Sequence, residues 1–169
     1  MQLISNMVIL CDTREQKNEH ILSAFEKAGL QYQKKALKTG DYSFMIRACP
    51  ELGFAYDTYF TDEIVIEKKN SLSELASNLA SASDDGERIF KEFNRMINVE
   101  RAYLVIESDS IDGIFEHKYR SEFNPDSFIR TLITWQARNY MHIYFCKKEN
   151  TARMIYELCK NCLDAKILK

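Results

Sequence analysis

The sequence alternates short apolar runs with longer amphipathic segments, and this alternation constrains the fold more than any other feature. Four runs rich in β-favouring residues stand out, namely MVILC at 7–11, EIVIE at 63–67, AYLVIE at 102–107 and MHIYFC at 141–146. Each run is short and largely apolar, which is the pattern of a strand covered on both faces. Because segments with helical spacing separate the runs, we expect an α/β sandwich around a mixed, largely parallel sheet.

The segments between these runs carry apolar residues at helical spacing. They predict helices at about 18–28, 71–81, 87–99, 125–139 and 149–163. A weaker strand is predicted at residues 30–37, and residues 44–62 are predicted to form an irregular excursion or a long hairpin. With two prolines, five glycines and no repeat, residues 1–169 are interpreted as a single domain.

The composition excludes several classes of protein. Hydrophobic residues make up 46% and charged residues 28% of the chain, as in ordinary globular proteins. The formal net charge is −2, so a polyanion would have to bind at a local basic patch. The N-terminal segment lacks the positive region of a signal peptide, and no apolar stretch approaches the roughly 18 residues of a membrane span. No second pair completes a zinc site with Cys159 and Cys162, and we expect reduced thiols in a cytoplasmic protein.

Carboxylates stand at the ends of several predicted strands. Asp12, Glu67 and Glu107 end apolar runs, and Asp41 follows the weaker second strand. Ligands of open α/β sheets bind at the edge formed by strand ends. A single acid at such an end is more often a helix cap or a solvated side chain. Four acids accompanied by lysines favour a functional site instead.

The spacing of Glu67 and Lys69 is the most informative part of this pattern. Successive side chains of a strand point to opposite faces, so Glu67 and Lys69 share a face and Lys68 faces away. Asp41 is expected to join Glu67, because two carboxylates, waters and a substrate phosphate are the usual ligands of Mg²⁺. Such a metal would activate the scissile phosphate, and Lys69 would orient the attacking water or stabilise developing negative charge.

Three charged motifs occur in the order of a known family. DTRE occupies 12–15, GDY occupies 40–42 and IVIEKK occupies 64–69, and a leucine-bearing helix (SLSELASNL) and an arginine-led helix (RIFKEFNRM) follow. In these features, over nearly the whole chain, the sequence resembles the XPF-type nuclease domain of the XPF and Mus endonucleases and archaeal Hef. The resemblance implies the three-layer, restriction-endonuclease-like sandwich of the PD-(D/E)xK superfamily.

The resemblance also implies roles for the residues that match these motifs. Asp41 and Glu67 match metal ligands for Mg²⁺ or Mn²⁺, and Lys69 matches the catalytic lysine. Asp12, Arg14 and Glu15 match the first motif, whose acids support the metal or the water network, so Asp12 is a third candidate metal ligand.

The chain departs from the family pattern at several points. Lys68 stands where the family usually has arginine. A lysine keeps the positive charge but cannot form the bidentate contacts of a guanidinium. The excursion at 44–62 is an insertion by the family's standard, and the acid that follows the family's third motif has Ser73 in register and Glu74 one position beyond. Helix-hairpin-helix and helicase domains have no counterpart, so the resemblance predicts a minimal, stand-alone, phage-like form.

Basic side chains predict where DNA would lie. Arg88, Lys91 and Arg95 share one face of the predicted helix at 87–99. They form either a solvated helix face or a stripe that contacts phosphates beside the site. Lys38 and Lys68 are further candidates for DNA contact, since they lie close in sequence to the predicted metal ligands.

The first functional hypothesis is a Mg²⁺- or Mn²⁺-dependent endonuclease that cuts branched, flap or fork DNA with little sequence preference. The alternative is a non-catalytic subunit of the same fold that binds DNA or another nuclease. A site-specific restriction enzyme shares the chemistry, but it would need sequence-reading elements that the chain does not reveal. Because relatives pair through their nuclease domains, a homodimer through the C-terminal helices is also expected.

Overall fold

The computed structural model describes residues 3–80 and 86–167, apart from the side chains of residues 86–88, 90 and 139. Seven strands form one sheet: β1 (Met7–Cys11), β2 (Tyr32–Lys34), β3 (Tyr42–Ile46), β4 (Thr58–Tyr59), β5 (Ile64–Lys69), β6 (Arg101–Glu107) and β7 (Met141–Cys146). Six α-helices accompany them in the described part of the chain: α1 (Glu19–Lys27), α2 (Leu72–Ala80), α3 (Gly86–Met96), α4 (Asp112–Phe115), α5 (Pro125–Asn139) and α6 (Thr151–Ile167).

The sheet is mixed, in the order β2-β1-β3-β5-β6-β7, with the two-residue strand β4 paired to β3. β5, β6 and β7 run parallel to one another, and β2 runs parallel to β1. β3 is antiparallel to both of its long neighbours, β1 and β5. The beginning of β3 therefore lies at the same edge of the sheet as the carboxyl ends of β1 and β5.

Helices cover both faces of the sheet. On one face, Phe25 of α1 and Ile155 of α6 pack with Ile9 and Ile66 of the sheet. Each fully buried side chain of this size stabilises the fold by about 1.5–3 kcal/mol. Cys159 and Cys162 of α6 belong to the same core cluster, as buried apolar side chains do.

The other face is covered by α2, α3 and α5. Leu75, Phe93 and Phe128, one from each helix, pack with Val65 and Leu104 of the sheet. The resulting three-layer sandwich with a mixed, mostly parallel sheet confirms the predicted fold class. Within residues 3–80 and 86–167, no helix combines the length and apolar character that a membrane crossing requires.

One part of the predicted element order was wrong. Residues 44–46, which were assigned to an excursion or a long hairpin, complete the buried central strand β3. The antiparallel pairing of β3 with β4 confirms the hairpin alternative, so the error is the omission of β3 as a central strand. Asp41 accordingly precedes β3 and does not simply follow the second strand, which is only Tyr32–Lys34. A polar residue, Ser43, hid the strand: its buried hydroxyl donates to Ile64 O at 2.9 Å, so the sheet itself satisfies it.

Candidate active site

A cleft of about 380 Å³ opens where the end of β1, the beginning of β3 and the end of β5 meet. All six residues predicted to be catalytic line this single cleft, namely Asp12, Arg14, Glu15, Asp41, Glu67 and Lys69. Their segments are separated by tens of residues in the sequence, and the antiparallel position of β3 brings them together. The structure therefore places the three charged motifs in one site.

Backbone contacts fix Asp41 between β1 and β5. Its N–H donates to Ile66 O at 2.9 Å, and its carbonyl accepts from the N–H of Asp12 at 2.7 Å. Its side-chain Oδ2 accepts from the backbone N–H of Lys68 at 2.7 Å. The preceding Gly40 allows this close approach, since it has φ +70° and an added Cβ would lie 2.1 Å from a Val65 methyl carbon.

Glu67 and Lys69 lie on the same face of β5, as their spacing predicts. Lys69 Nζ donates to Glu67 Oε1 at 2.7 Å, and both residues are buried. Glu92 of α3 also approaches Lys69, with Oε2 3.8 Å from Nζ. The ammonium thus lies close to two carboxylates that line the cleft.

Burial and mutual repulsion make Asp41 and Glu67 difficult to ionise. Burial raises the pKa of Asp41 to about 7, with contributions from the charges of Glu15 and Glu92. Burial, followed by the charge of Asp41, holds the pKa of Glu67 well above its usual range. Burial disfavours the charged form of Lys69, but the Glu67 and Glu92 carboxylates outweigh it and raise the pKa of Lys69. A cation between Asp41 and Glu67 would relieve this repulsion.

The donor set fits a hard divalent cation. Glu67 Oε2 is buried and has no hydrogen-bond partner among the described residues, so it is an acceptor available to a metal. Within the described part of the chain, no three Asp, Glu, His or Cys side chains converge closely enough to form a complete site. Mg²⁺ typically takes one or two carboxylates and completes its shell with water and substrate phosphate, which matches Asp41 and Glu67.

Asp12 holds a neighbouring loop. Its carboxylate accepts four N–H donors: the backbone N–H, Nε–H and Nη2–H of Arg14, at 2.7, 2.7 and 3.0 Å, and the N–H of Leu37 at 2.7 Å. Arg14 Nη2 also donates to Leu37 O at 2.8 Å. Burial opposes ionisation of Asp12, but these hydrogen bonds lower its pKa. With both oxygens engaged, Asp12 is arranged to position Arg14 and Leu37, and metal binding would break these contacts.

Lys68 faces the other side of the sheet, as predicted. Its ammonium donates to Asn70 Oδ1 at 2.6 Å and to Lys17 O at 3.1 Å, and it lies 3.7 Å from Glu15 Oε1. Its side chain is 0% exposed, so its predicted contact with DNA does not fit this arrangement. Lys68 instead connects β5 to the segment after β1.

Glu74 and Glu92 are the acids of the cleft that sequence reasoning left without a role. Glu74 Oε2 accepts from the backbone N–H and the side-chain amide of Asn70. The side-chain oxygen of Asn70 in turn accepts a hydrogen bond from the Lys68 ammonium. Glu92 reaches the cleft from α3. The available signal for Glu92 was its helical position beside Ile89 and Phe93, both of which are buried.

Three of the other predicted DNA-binding residues are exposed. Lys91 and Arg95 are exposed on α3, and Lys38 is exposed on the loop before Gly40. Lys38 and Arg95 line a second cleft of about 270 Å³. The side chain of Arg88 lies outside the described part of the chain.

Comparison with solved structures shows the same fold. XPF from Aeropyrum pernix matches with a TM-score of 0.64 and 20% identity, over 92% of this chain and 65% of that one. XPF from Aeropyrum pernix in complex with DNA matches with a TM-score of 0.63 and 21% identity, over 94% of this chain and 66% of that one. The chain thus spans slightly less than two thirds of these structures.

Comparison with curated proteins gave no match. Among protein families, the ERCC4 domain matches residues 11–158, a range that contains every motif of the cleft. The chain therefore belongs to the ERCC4 domain family, the XPF-type nuclease domains that its charged motifs resemble.

Proposed function

We propose that this chain is a DNA endonuclease that requires a divalent metal and cuts branched, flap or fork DNA. The observation that carries the proposal is the buried Glu67–Lys69 pair beside Asp41, in a cleft whose backbone contacts fix all three residues. A buried ion pair is a weak source of stability, because desolvation offsets most of its attraction. Its presence at an open cleft is better explained by chemistry.

Asp41 and Glu67 would hold the metal, through the unpartnered Glu67 Oε2 and the Asp41 carboxylate. Bound Mg²⁺ or Mn²⁺ would polarise the scissile phosphate and lower the pKa of water in the cleft. Lys69 would face a phosphate once a bound metal neutralises Asp41 and Glu67. Its ammonium would orient the attacking water and stabilise negative charge that develops on the phosphate oxygens.

Asp12 and Arg14 would act by positioning. Together they clasp the backbone of Leu37 and thereby fix the loop that leads to Gly40 and Asp41. Glu15 and Lys68 connect the segment after β1 to β5. A cleft assembled in this way holds its reacting groups in place before DNA arrives, which is what fast phosphoryl chemistry requires.

The exposed basic residues proposed to contact DNA fit an enzyme with low sequence preference. Lys38, Lys91 and Arg95 would contact phosphates, which position a duplex without reading its bases. The DNA complex of XPF from Aeropyrum pernix has the same fold, and it supports DNA as the partner of this chain.

The proposal is tested with end-labelled flap, fork, junction and linear duplex DNA in Mg²⁺ and in Mn²⁺. Glu67→Ala and Lys69→Ala should each lose cutting by at least about a hundredfold, the size of effect expected for a group that acts on the transition state. Glu157→Ala and Lys148→Ala, which change exposed residues of α6 and of the turn before it, are the matched controls.

Each alternative gives a different result in this experiment. If the wild-type protein binds the branched substrates but cuts none with either metal, it is the non-catalytic subunit. Cutting of linear duplex at one sequence would indicate a restriction-type enzyme. If Glu67→Ala cuts as well as the wild type, the assignment of the site is wrong.

We also propose a homodimer through the C-terminal elements. Ile111 and Ile133 are 40% and 58% exposed and lie beside an apolar groove of about 290 Å³, which Ile129, Ile143 and Phe145 also line. A second copy of this chain would bury these side chains, and exposed apolar surfaces of this kind mark interaction sites. Pairing would give two active sites to one assembly.

A further inference from the structure

The cleft lined by Lys38 and Arg95 has a different charge from the catalytic cleft beside it. The catalytic cleft is lined by six acids (Asp12, Glu15, Asp41, Glu67, Glu74 and Glu92) and three bases (Arg14, Lys68 and Lys69). The second cleft has two bases and, at its rim, one exposed acid, Asp62. The attraction for a polyanion is therefore located outside the catalytic cleft.

The second cleft also contains donors that the fold does not use. Among the described residues, Lys38 and Arg95 form no ion pair, and the buried Oγ1 of Thr39 has no hydrogen-bond partner. Thr61 and Asn98 contribute further polar groups to the lining. A buried hydroxyl without a protein partner is uncommon in folded proteins, and this one is free to donate to a ligand. A phosphate oxygen is an acceptor that both cations would also favour.

The two clefts share their walls. Gly40 lines the catalytic cleft and Thr39 lines the second, so one short loop separates them. On α3, Glu92 faces the first cleft and Arg95 the second, and three residues of helix advance about 4.5 Å. The two clefts are therefore adjacent, as binding of neighbouring nucleotides of one DNA strand would require.

The size and the apolar walls of the second cleft fit one nucleotide. Its volume is about 270 Å³. This is just below the smallest small-ligand sites, which measure about 300 Å³. Leu37 and Val99 give it apolar surface, and Asn98 gives it an amide. The loop that forms its wall is held by Asp12 and Arg14, through the backbone of Leu37.

We propose that this cleft, which we call the Lys38–Arg95 cleft, binds a phosphate-bearing nucleotide of the DNA strand next to the scissile bond. The proposal rests on the proposed nuclease function and adds the place where substrate affinity arises. Lys38 and Arg95 would contact the phosphate, and Thr39 Oγ1 would donate to it. The catalytic cleft, with its excess of acids, would then receive the scissile phosphate from a strand that is already bound.

The test measures the binding of fluorescein-labelled flap DNA by fluorescence anisotropy over a range of salt concentrations. Ca²⁺ replaces Mg²⁺, and a gel confirms that the DNA stays intact. The double variant Lys38→Ala/Arg95→Ala should bind at least about tenfold more weakly, and its plot of log K against log salt should be shallower by about 0.7–0.9, which is the contribution of each phosphate that the protein neutralises. Thr39→Val, which removes only the hydroxyl, should weaken binding several-fold.

The matched control is Lys148→Ala/Arg153→Ala, which removes the same charge from exposed residues around the start of α6. It should keep the wild-type slope and affinity. If the double variant of the Lys38–Arg95 cleft behaves like this control, the proposal is overturned although the wild type binds and cuts DNA. If the wild type neither binds nor cuts, the proposed function itself fails, which is a different result.

The ligand of the Lys38–Arg95 cleft could be a nucleotide within a DNA strand or a free mononucleotide, because both carry the same phosphate and base. Calorimetry with thymidine monophosphate distinguishes these two ligands. Weak or absent binding of thymidine monophosphate, together with the DNA effects above, supports a strand nucleotide. Binding that Lys38→Ala/Arg95→Ala abolishes, while DNA binding stays as in the control, would show that the cleft takes a free nucleotide and would overturn the assignment to DNA.

Discussion

Lys69 donates a hydrogen bond to Glu67 over 2.7 Å, and both residues are buried on the same face of β5. Apolar residues of similar volume at these positions would serve the stability of the sheet as well or better. The pair also lies beside Asp41, whose charge disfavours the ionised form of Glu67. Such an arrangement stores repulsion that a bound cation relieves, and this is the physical argument for a metal site at this point of the fold.

Glu92→Gln is expected to slow the cutting of DNA about tenfold while leaving DNA binding equal or stronger. Glu92 Oε2 lies 3.8 Å from Lys69 Nζ, so the amide would weaken one of the two contacts that hold the ammonium. Binding should not suffer, because one negative charge leaves a cleft that receives a phosphate. Single-turnover rates and anisotropy titrations separate the two effects. Glu157→Gln on α6 is the control, and an unchanged rate for Glu92→Gln would exclude its role in holding Lys69.

Gly40→Ala is expected to lower the free energy of unfolding by about 2–4 kcal/mol. The positive φ of Gly40 is unfavourable for alanine, and the added methyl group would lie 2.1 Å from a Val65 methyl carbon. Urea denaturation measures the change. Gly29→Ala is the matched control, because Gly29 also has a positive φ, +66°, but nothing lies within 4 Å of its Cβ position. A loss no larger than that of Gly29→Ala would contradict the role of close approach.

The sequence was sufficient for the fold class and for most of the cleft. Apolar runs predicted β1, β5, β6 and β7, and the two-residue period of a strand placed Glu67 and Lys69 on one face. These features are local, because a strand's pattern and its alternation can be read without knowledge of its neighbours.

Features that depend on tertiary contacts were not predictable in this way. β3 was missed because its buried Ser43 is satisfied by carbonyl groups of other segments. Glu92 reaches Lys69 only because α3 packs over β5. Its position beside Ile89 and Phe93 indicates the inner side of the helix but not its partner. The hydrogen bonds from Arg14 and Leu37 to the Asp12 carboxylate likewise depend on tertiary structure, because the loop that contains Leu37 must pack against the segment after β1.

Lys68→Met is expected to destabilise the protein by about 1–3 kcal/mol, because it leaves half-buried acceptors without their donor. The ammonium of Lys68 now serves Asn70 Oδ1 and Lys17 O and lies near Glu15. The urea midpoint of the Lys68→Met variant should fall, while the slope of its unfolding free energy against urea concentration stays unchanged. Lys147→Met, at an exposed position, should unfold like the wild type. Wild-type stability of Lys68→Met would show that these contacts contribute little.

The metal-free protein is expected to lose stability as pH rises from about 4 to 7. The pKa of Asp41 is about 7 in the fold and 3.8 for an ordinary aspartate, so in this window the folded chain keeps a proton that the unfolded chain releases. Glu67 shifts in the same direction. Urea midpoints in EDTA measure the effect, and Asp41→Asn should flatten the profile. Added Mn²⁺ should stabilise most at the upper end of the window, and a rise in metal-free stability across it would contradict the prediction.

Ile133→Glu is expected to convert a dimer into a monomer without unfolding it. Ile133 is 58% exposed on α5, so the substitution should be tolerated by an isolated chain, whereas a charge buried between two copies would be strongly unfavourable. Light scattering coupled to size-exclusion chromatography gives the mass, and circular dichroism checks the fold. Ile167→Glu, at a 51% exposed residue of α6 away from the apolar groove, is the control and should stay dimeric. A monomeric wild type at micromolar concentration would contradict the proposed pairing, and the active site would then have to act within a single copy of the chain.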